Sequence, residues 1–184
     1  FISIQHFIMV HKQIQIYKDL GTSEQCYIHL KNAFQYLTSL YKIEEINSTI
    51  INNQNIQSNL LCFGGGYDLG YLNLLQLSGC LNIHNYIKEN MGRYLGICAG
   101  AYFACDYCYF DMNGPLEVYG ERYIKLFQGL FSDNGKPAII GSKLGNGCGI
   151  LSGVHFEYDP YLLEKQIYNV DPENNVNSSL SQLE

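Results

Sequence analysis

The chain has 184 residues, 47% of them hydrophobic, with 11 basic against 17 acidic residues and a formal net charge of −6. That length suits one compact domain with a sizeable core. The acidic balance, with Arg93 and Arg122 as the only arginines, argues against a nucleic-acid partner, because no basic stripe is present to displace counterions from phosphate.

Seven cysteines at irregular spacing do not resemble the even framework of a secreted disulfide scaffold. An intracellular, reducing compartment is therefore expected, either cytoplasm or mitochondrion. No apolar run reaches the roughly 18 residues of a membrane span, so no transmembrane segment is expected. Residues 1–11 read as an N-terminal extension. Phe1 to Ile8 is apolar but lacks the charged region and small-residue cleavage site of a secretory signal, and Met9 stands just before the first strand. A processed presequence remnant, a gene-model extension ahead of Met9, and a segment docked on a partner all remain open.

From Lys12 to Tyr17 polar and apolar residues alternate, which predicts a first strand. Thr22 or Ser23 can cap a helix whose apolar positions Tyr27, Leu30, Phe34, Leu37 and Leu40 recur every three or four residues. Tyr41 to Ile46 is a second strand, Asn47 to Asn59 a loop or frayed helix, and Leu60 to Phe63 a buried third strand that runs into Gly64-Gly65-Gly66. A helix is expected over Asn82 to Asn90, stopping at Met91-Gly92. Beyond the central motif, Leu116 to Tyr119 and Ala138 to Ile140 are candidate strands, and Gly149 to Ser152 leads into Gly153-Val154-His155-Phe156-Glu157. The boundaries expected are an extension over 1–11, one domain over 12–168 and a polar, Asn-rich tail over 169–184. Strands alternating with helices indicate an α/β fold with a mainly parallel sheet.

The central motif is Arg93 to Phe103. A short apolar run enters Gly96-Ile97-Cys98-Ala99-Gly100 and continues into small residues able to open a helix, the pattern of a nucleophile elbow with sulfur in place of oxygen. Cys98 would stand at a helix N-terminus, where unpaired amides and the helix dipole favour thiolate. The competing reading is a buried small hydrophobe. A cysteine nucleophile needs a base and a group to orient it. His155 is the only histidine followed within two residues by a carboxylate, Glu157, and in an extended segment residues i and i+2 point the same way. The expected triad is Cys98, His155, Glu157; a surface His beside a surface Glu is the alternative.

Donors for a developing oxyanion would be the amide of Ala99 and the loop Gly65, Gly66, Tyr67. Asp68 either contacts a ligand or caps the turn. Cys105 and Cys108, with Cys80 and His84, have spacings that four zinc ligands could use, but nothing in the sequence forces the two pairs together. The expected site is metal-free. Cys105 is read as lying inside the elbow helix, and a third, weaker alternative is a redox sensor in which Cys98 pairs with a nearby resolving thiol such as Cys105.

These residues together resemble the class I glutamine amidotransferase-like superfamily, and more closely the N-terminal domain of eukaryotic-type biotin protein ligases. The blocks that carry the resemblance are Gln15-Ile16-Tyr17 through Gly21-Thr22-Ser23, Gly65 to Tyr71, Tyr94 to Phe103, Leu116 to Gly120 and Leu151 to Glu157. The resemblance implies a flavodoxin-like three-layer sandwich with Cys98, His155 and Glu157 in the triad positions. Departures are Gly64 where the family usually has proline, Met91 in place of a glycine, and the 57 positions between Cys98 and His155, which leave little room for glutamine-binding segments. The expected function is a stand-alone amidotransferase-like domain, not a biotin ligase by itself. It would be a cysteine-dependent hydrolase or transferase of amide or acyl bonds in an unknown small-molecule substrate, with no cofactor. The alternative is a catalytically idle binding module or accessory subunit, contacting a protein partner through the N-terminal arm or C-terminal tail.

Overall fold

The computed structural model describes residues 12–115, 117–132 and 138–168. The N-terminal arm, the Asn-rich tail and Leu116 lie outside the described residues. In chain order the elements are β1 (Gln13–Tyr17), α1 (Glu24–Leu37), β2 (Lys42–Ile46), α2 (Ser48–Asn52), β3 (Leu60–Phe63), α3 (Asp68–Glu89), β4 (Arg93–Ile97), α4 (Ala99–Phe103), β5 (Cys105–Phe110), β6 (Val118–Glu121), β7 (Phe127–Ser132), β8 (Ile139–Leu144), β9 (Gly147–Ser152) and α5 (Pro160–Tyr168). Six strands form one sheet in the order β2-β1-β3-β4-β9-β8. Every neighbouring pair in it is parallel except β8 with β9. A second, three-stranded sheet has the order β6-β5-β7.

Alternation along the strands splits the core in two. Tyr17, Leu61, Phe63 and Tyr94 point to one face and pack with residues of α2, α3 and α4, among them Ile51, Tyr71, Leu75, Ile83, Ile87 and Phe103. Ile14, Ile16, Cys62 and Ile97 point to the other, against Tyr27 and Leu30 of α1. Successive strand residues face opposite sides of a sheet, so a buried central strand needs apolar residues throughout and helices on both faces. The result is a three-layer α/β arrangement.

Local chemistry explains most boundaries and several differences from expectation. Ser23 caps α1, its hydroxyl accepting from the Cys26 N–H at 3.4 Å. The helix was expected to reach Leu40 but ends at Leu37, with extended Thr38 as its C-cap. Leu37 and Leu40 are both exposed, so burial gives the last apolar positions no reason to extend it. In the Asn-rich stretch Asn47 caps the short α2 by accepting from the Ile50 N–H at 3.1 Å. The helix expected from Asn82 begins at Asp68 and is broken once, at Gln76, where φ is +52°. The helix expected to contain Cys105 stops at Phe103; Cys105 opens β5 instead. The sequence Cys-Asp-Tyr-Cys-Tyr-Phe is aromatic-rich, and such residues suit a pleated, half-buried surface better than a helix. No described helix is long and apolar enough to cross a membrane. No disulfide occurs among the described residues, which include all seven cysteines.

Candidate active site

Cys98 stands between β4 and α4 with φ +51° and ψ −113°, a region that side chains rarely enter. The surroundings hold it there. Its N–H donates to the Ser152 carbonyl at 2.7 Å, and the Gly100 N–H donates to the Gly64 carbonyl at 3.1 Å. A Cβ on Gly96 would run into the Gly100 carbonyl, and one on Gly100 into the Phe63 carbonyl. The two glycines thus let α4 settle directly on the ends of β3 and β4.

The bond from Cys98 to Ser152 also brings in the second half of the site, since Ser152 is the last residue of β9, the parallel neighbour of β4. The Ser152 hydroxyl donates to the Val154 carbonyl at 2.7 Å and accepts from the Val154 N–H at 3.3 Å, so the chain turns at once. Side chains then alternate. Val154 and Phe156 are exposed, while Glu157 is buried. The His155 Nδ1 and a Glu157 carboxylate oxygen are 2.8 Å apart, and the Glu157 side chain is only 1% exposed. Cys98 first, and the hydrogen bond to Glu157 second, raise the His155 pKa to about 10 against the opposing effect of partial burial. With Nδ1 committed to Glu157, Nε2 is the nitrogen left for the sulfur.

The glycine loop lies against this ring. A Cβ on Gly65 would sit 2.5 Å from the His155 Cε1 and 2.7 Å from the Cys26 Sγ, so any larger residue there would displace the imidazole or the thiol. Of the expected donors, the Tyr67 amide is already used, donating to the Gly21 carbonyl at 2.7 Å. The Ala99 amide, at the first position of α4, and those of Gly65 and Gly66 have no backbone acceptor among the described residues. Asp68 is buried and faces Arg122, whose Nε donates to its carboxylate at 2.8 Å and whose Nη2 lies 2.6 Å from the same oxygen. An open groove of about 640 Å³ runs past the loop, lined by Leu20, Thr22, Gly66, Tyr67, Leu69 and Asn73. Neither Cys98 nor His155 lines it.

Three neighbours were not anticipated: Cys26 and His29 on α1, and Tyr158 directly after Glu157. Their signal in the sequence was faint. Cys26 and His29 lie three apart on the face of α1 that also carries Tyr27 and Leu30. The suggested zinc pairs do not close. Cys105 donates to the Tyr102 carbonyl at 2.7 Å, His84 is hydrogen-bonded to the Ile124 carbonyl, and among the described residues no three His, Cys, Asp or Glu gather as metal ligands.

The sequence model of the biotin-protein ligase N-terminal family matches residues 12–133, well over half of the chain. The chain belongs to this family. The matched span holds Cys98 and the glycine loop and stops before His155. Over 125 residues the family member is 31% identical to an uncharacterized protein of Chlamydia muridarum (strain MoPn / Nigg), covering 65% of this chain and 48% of that protein. Over 120 residues it is 28% identical to the biotin–protein ligase of Schizosaccharomyces pombe (strain 972 / ATCC 24843), covering 63% of this chain and 19% of the ligase. It therefore aligns with about half of one curated relative and about a fifth of the other.

Proposed function

We propose that this biotin-protein ligase N-terminal family member is a glutamine amidotransferase-like domain acting as a cysteine-dependent hydrolase or transferase of amide or acyl bonds in a small substrate. The observation that carries the reading is one imidazole held at 2.8 Å by a buried Glu157, with Cys98 the largest influence on its pKa. On this reading the Cys98 turn is a nucleophile elbow on a flavodoxin-like sandwich. Cys98 passes its proton to His155, and the sulfur attacks the carbonyl carbon. The new C–S bond forms as the C–N bond breaks, and His155 returns the proton to the departing amine. Water or another acceptor then releases the thioester. Glu157 orients the ring and stabilises its cationic form.

Oxyanion donors are the amides of Ala99 and of Gly65 or Gly66, since that of Tyr67 is committed to Gly21. The Tyr67 side chain borders the groove beside the loop, and Asp68 anchors the end of the loop through Arg122. The reaction needs only these groups and water, with no cofactor. Biotin ligation by this domain itself is not proposed, because the 184 residues contain no Arg- and Gly-rich adenylate loop.

Iodoacetamide labelling at pH 7, mapped by mass spectrometry, tests the reading against an internal standard, the exposed Cys148. Cys98 is expected to react about tenfold faster or more, and His155→Ala to remove that advantage. Equal rates in the wild type would reject it. The second reading, an idle binding module attached to a larger assembly through residues 1–11 or 169–184, draws on the lost Tyr67 donor. Its signature is a fast-labelling Cys98 with no turnover across a panel of amides and thioesters.

A further inference from the structure

We infer that Tyr158 is a positioning residue of the Cys98 site, its ring clamped between the imidazoles of His155 and His29 and its hydroxyl tied to Cys26. The inference rests on the reading of Cys98 and His155 given above and adds what holds the imidazole in place. Glu157 fixes one direction of that ring only. A single hydrogen bond at Nδ1 lets the plane pivot about the line to the carboxylate, and residues 153–159 belong to no strand or helix that would restrain it.

Tyr158 supplies a second restraint, on the face of the ring. Its ring stacks on His155 with centroids 4.6 Å apart and planes 27° apart. His29 backs the same tyrosine at 4.6 Å and 30°. His29 is 1% exposed, and its Nδ1 accepts the Asp159 N–H at 3.0 Å, which ties the segment to α1. The Tyr158 hydroxyl shares a hydrogen bond with the Cys26 Sγ at 3.1 Å, three residues before His29 on the same helix. Burial raises the pKa of this phenol, so it stays neutral. The polar groups around the imidazole are therefore Cys98, Glu157 and Tyr158, with the Cys26 Sγ across Gly65. A phenol face against the ring keeps it from tilting off the sulfur and favours its cationic form.

The full chain and its Tyr158→Leu and Tyr158→Phe variants test this through two readouts: the NMR titration of His155, and the Cys98-to-Cys148 ratio of iodoacetamide labelling rates at pH 7. In Tyr158→Leu the His155 titration is expected to move to lower pH and the ratio to fall about tenfold, the order expected when a catalytic group loses its alignment. Tyr158→Phe keeps the stack and is expected to stay within about twofold of wild type in the labelling ratio. Should Tyr158→Leu fail to fold, His29→Leu removes the backing ring and carries the same expectation in the same direction. An unchanged His155 titration and an unchanged ratio in the folded variant would overturn the inference. A wild-type Cys98 no faster than Cys148 would reject the nucleophile alone, because the His155 titration still reports whether Tyr158 holds the ring.

Discussion

Cys98 holds a backbone conformation that costs on the order of 1–3 kcal/mol for a residue with a Cβ, and the hydrogen bonds from its own N–H and from that of Gly100 keep it there. Relieving the strain has a measurable consequence. Cys98→Gly is expected to be more stable than Cys98→Ala by about 1 kcal/mol in urea unfolding, because the left-handed region suits glycine even after its larger unfolded-state entropy is counted. Since the chain has no tryptophan, circular dichroism is the suitable probe. An alanine variant at least as stable as the glycine one would remove the strain from the account. His155 gives a pH prediction. Its folded pKa is raised from 6.5 to about 10 by Cys98 and then Glu157. The stability its cation contributes is therefore fully present below pH 6.5 and lost as pH climbs through about 10. Glu157→Gln should lower the His155 pKa and flatten the difference in urea midpoint between pH 7 and pH 10. A variant with the wild-type dependence would show that Glu157 is not the partner it appears by geometry.

Between elements, a buried ion pair joins the end of the small sheet's β6 to the start of α3, just after the glycine loop. Arg122 follows β6 and is 1% exposed; its guanidinium donates to the Gly120 and Glu121 carbonyls as well as to Asp68 at the start of α3. A buried pair of this kind adds little over an apolar replacement, but removing one partner strands the other. Arg122→Leu is expected to cost about 3–5 kcal/mol in urea unfolding, and adding Asp68→Leu to recover a large part of that loss. A double variant no better than the single one would mean that the three carbonyl and carboxylate contacts of Arg122 act separately. Nothing in the sequence marks Arg122 for this role. Its carbonyl partners lie one and two residues away, but its charge partner is 54 positions away, and only the folded chain makes a buried arginine affordable. The shortness of α4 was equally hidden, because Ala99 to Phe103 has helix-compatible residues and the aromatic strand that follows declares itself only when β6 and β7 pair with it.

At the scale of the whole molecule, 17 acidic against 11 basic residues, with Arg122 buried, leave a net negative charge that opposes phosphate. Fluorescence anisotropy with labelled single- and double-stranded oligonucleotides at roughly physiological salt is expected to show no binding, and a salt-dependent affinity would contradict the reading of the charge balance. The layered architecture was legible because it depends on local periodicity: polar and apolar residues alternating in β1, continuous apolar runs in β3 and β4, and a 3.6-residue stripe in α1 each commit a segment to one element and one buried face. The joint orientation of His155 and Glu157 was legible for the same reason, since two residues apart in an extended segment must point together. What the sequence could not determine is whatever depends on which strand lies beside which. The β4–β9 pairing brings Ser152 to Cys98, α1 lays Cys26 and His29 beneath Tyr158, and the Thr22–Gly66 bridge commits the Tyr67 amide. Those contacts join residues far apart along the chain, and their geometry follows from how three layers pack rather than from any spacing a single segment carries.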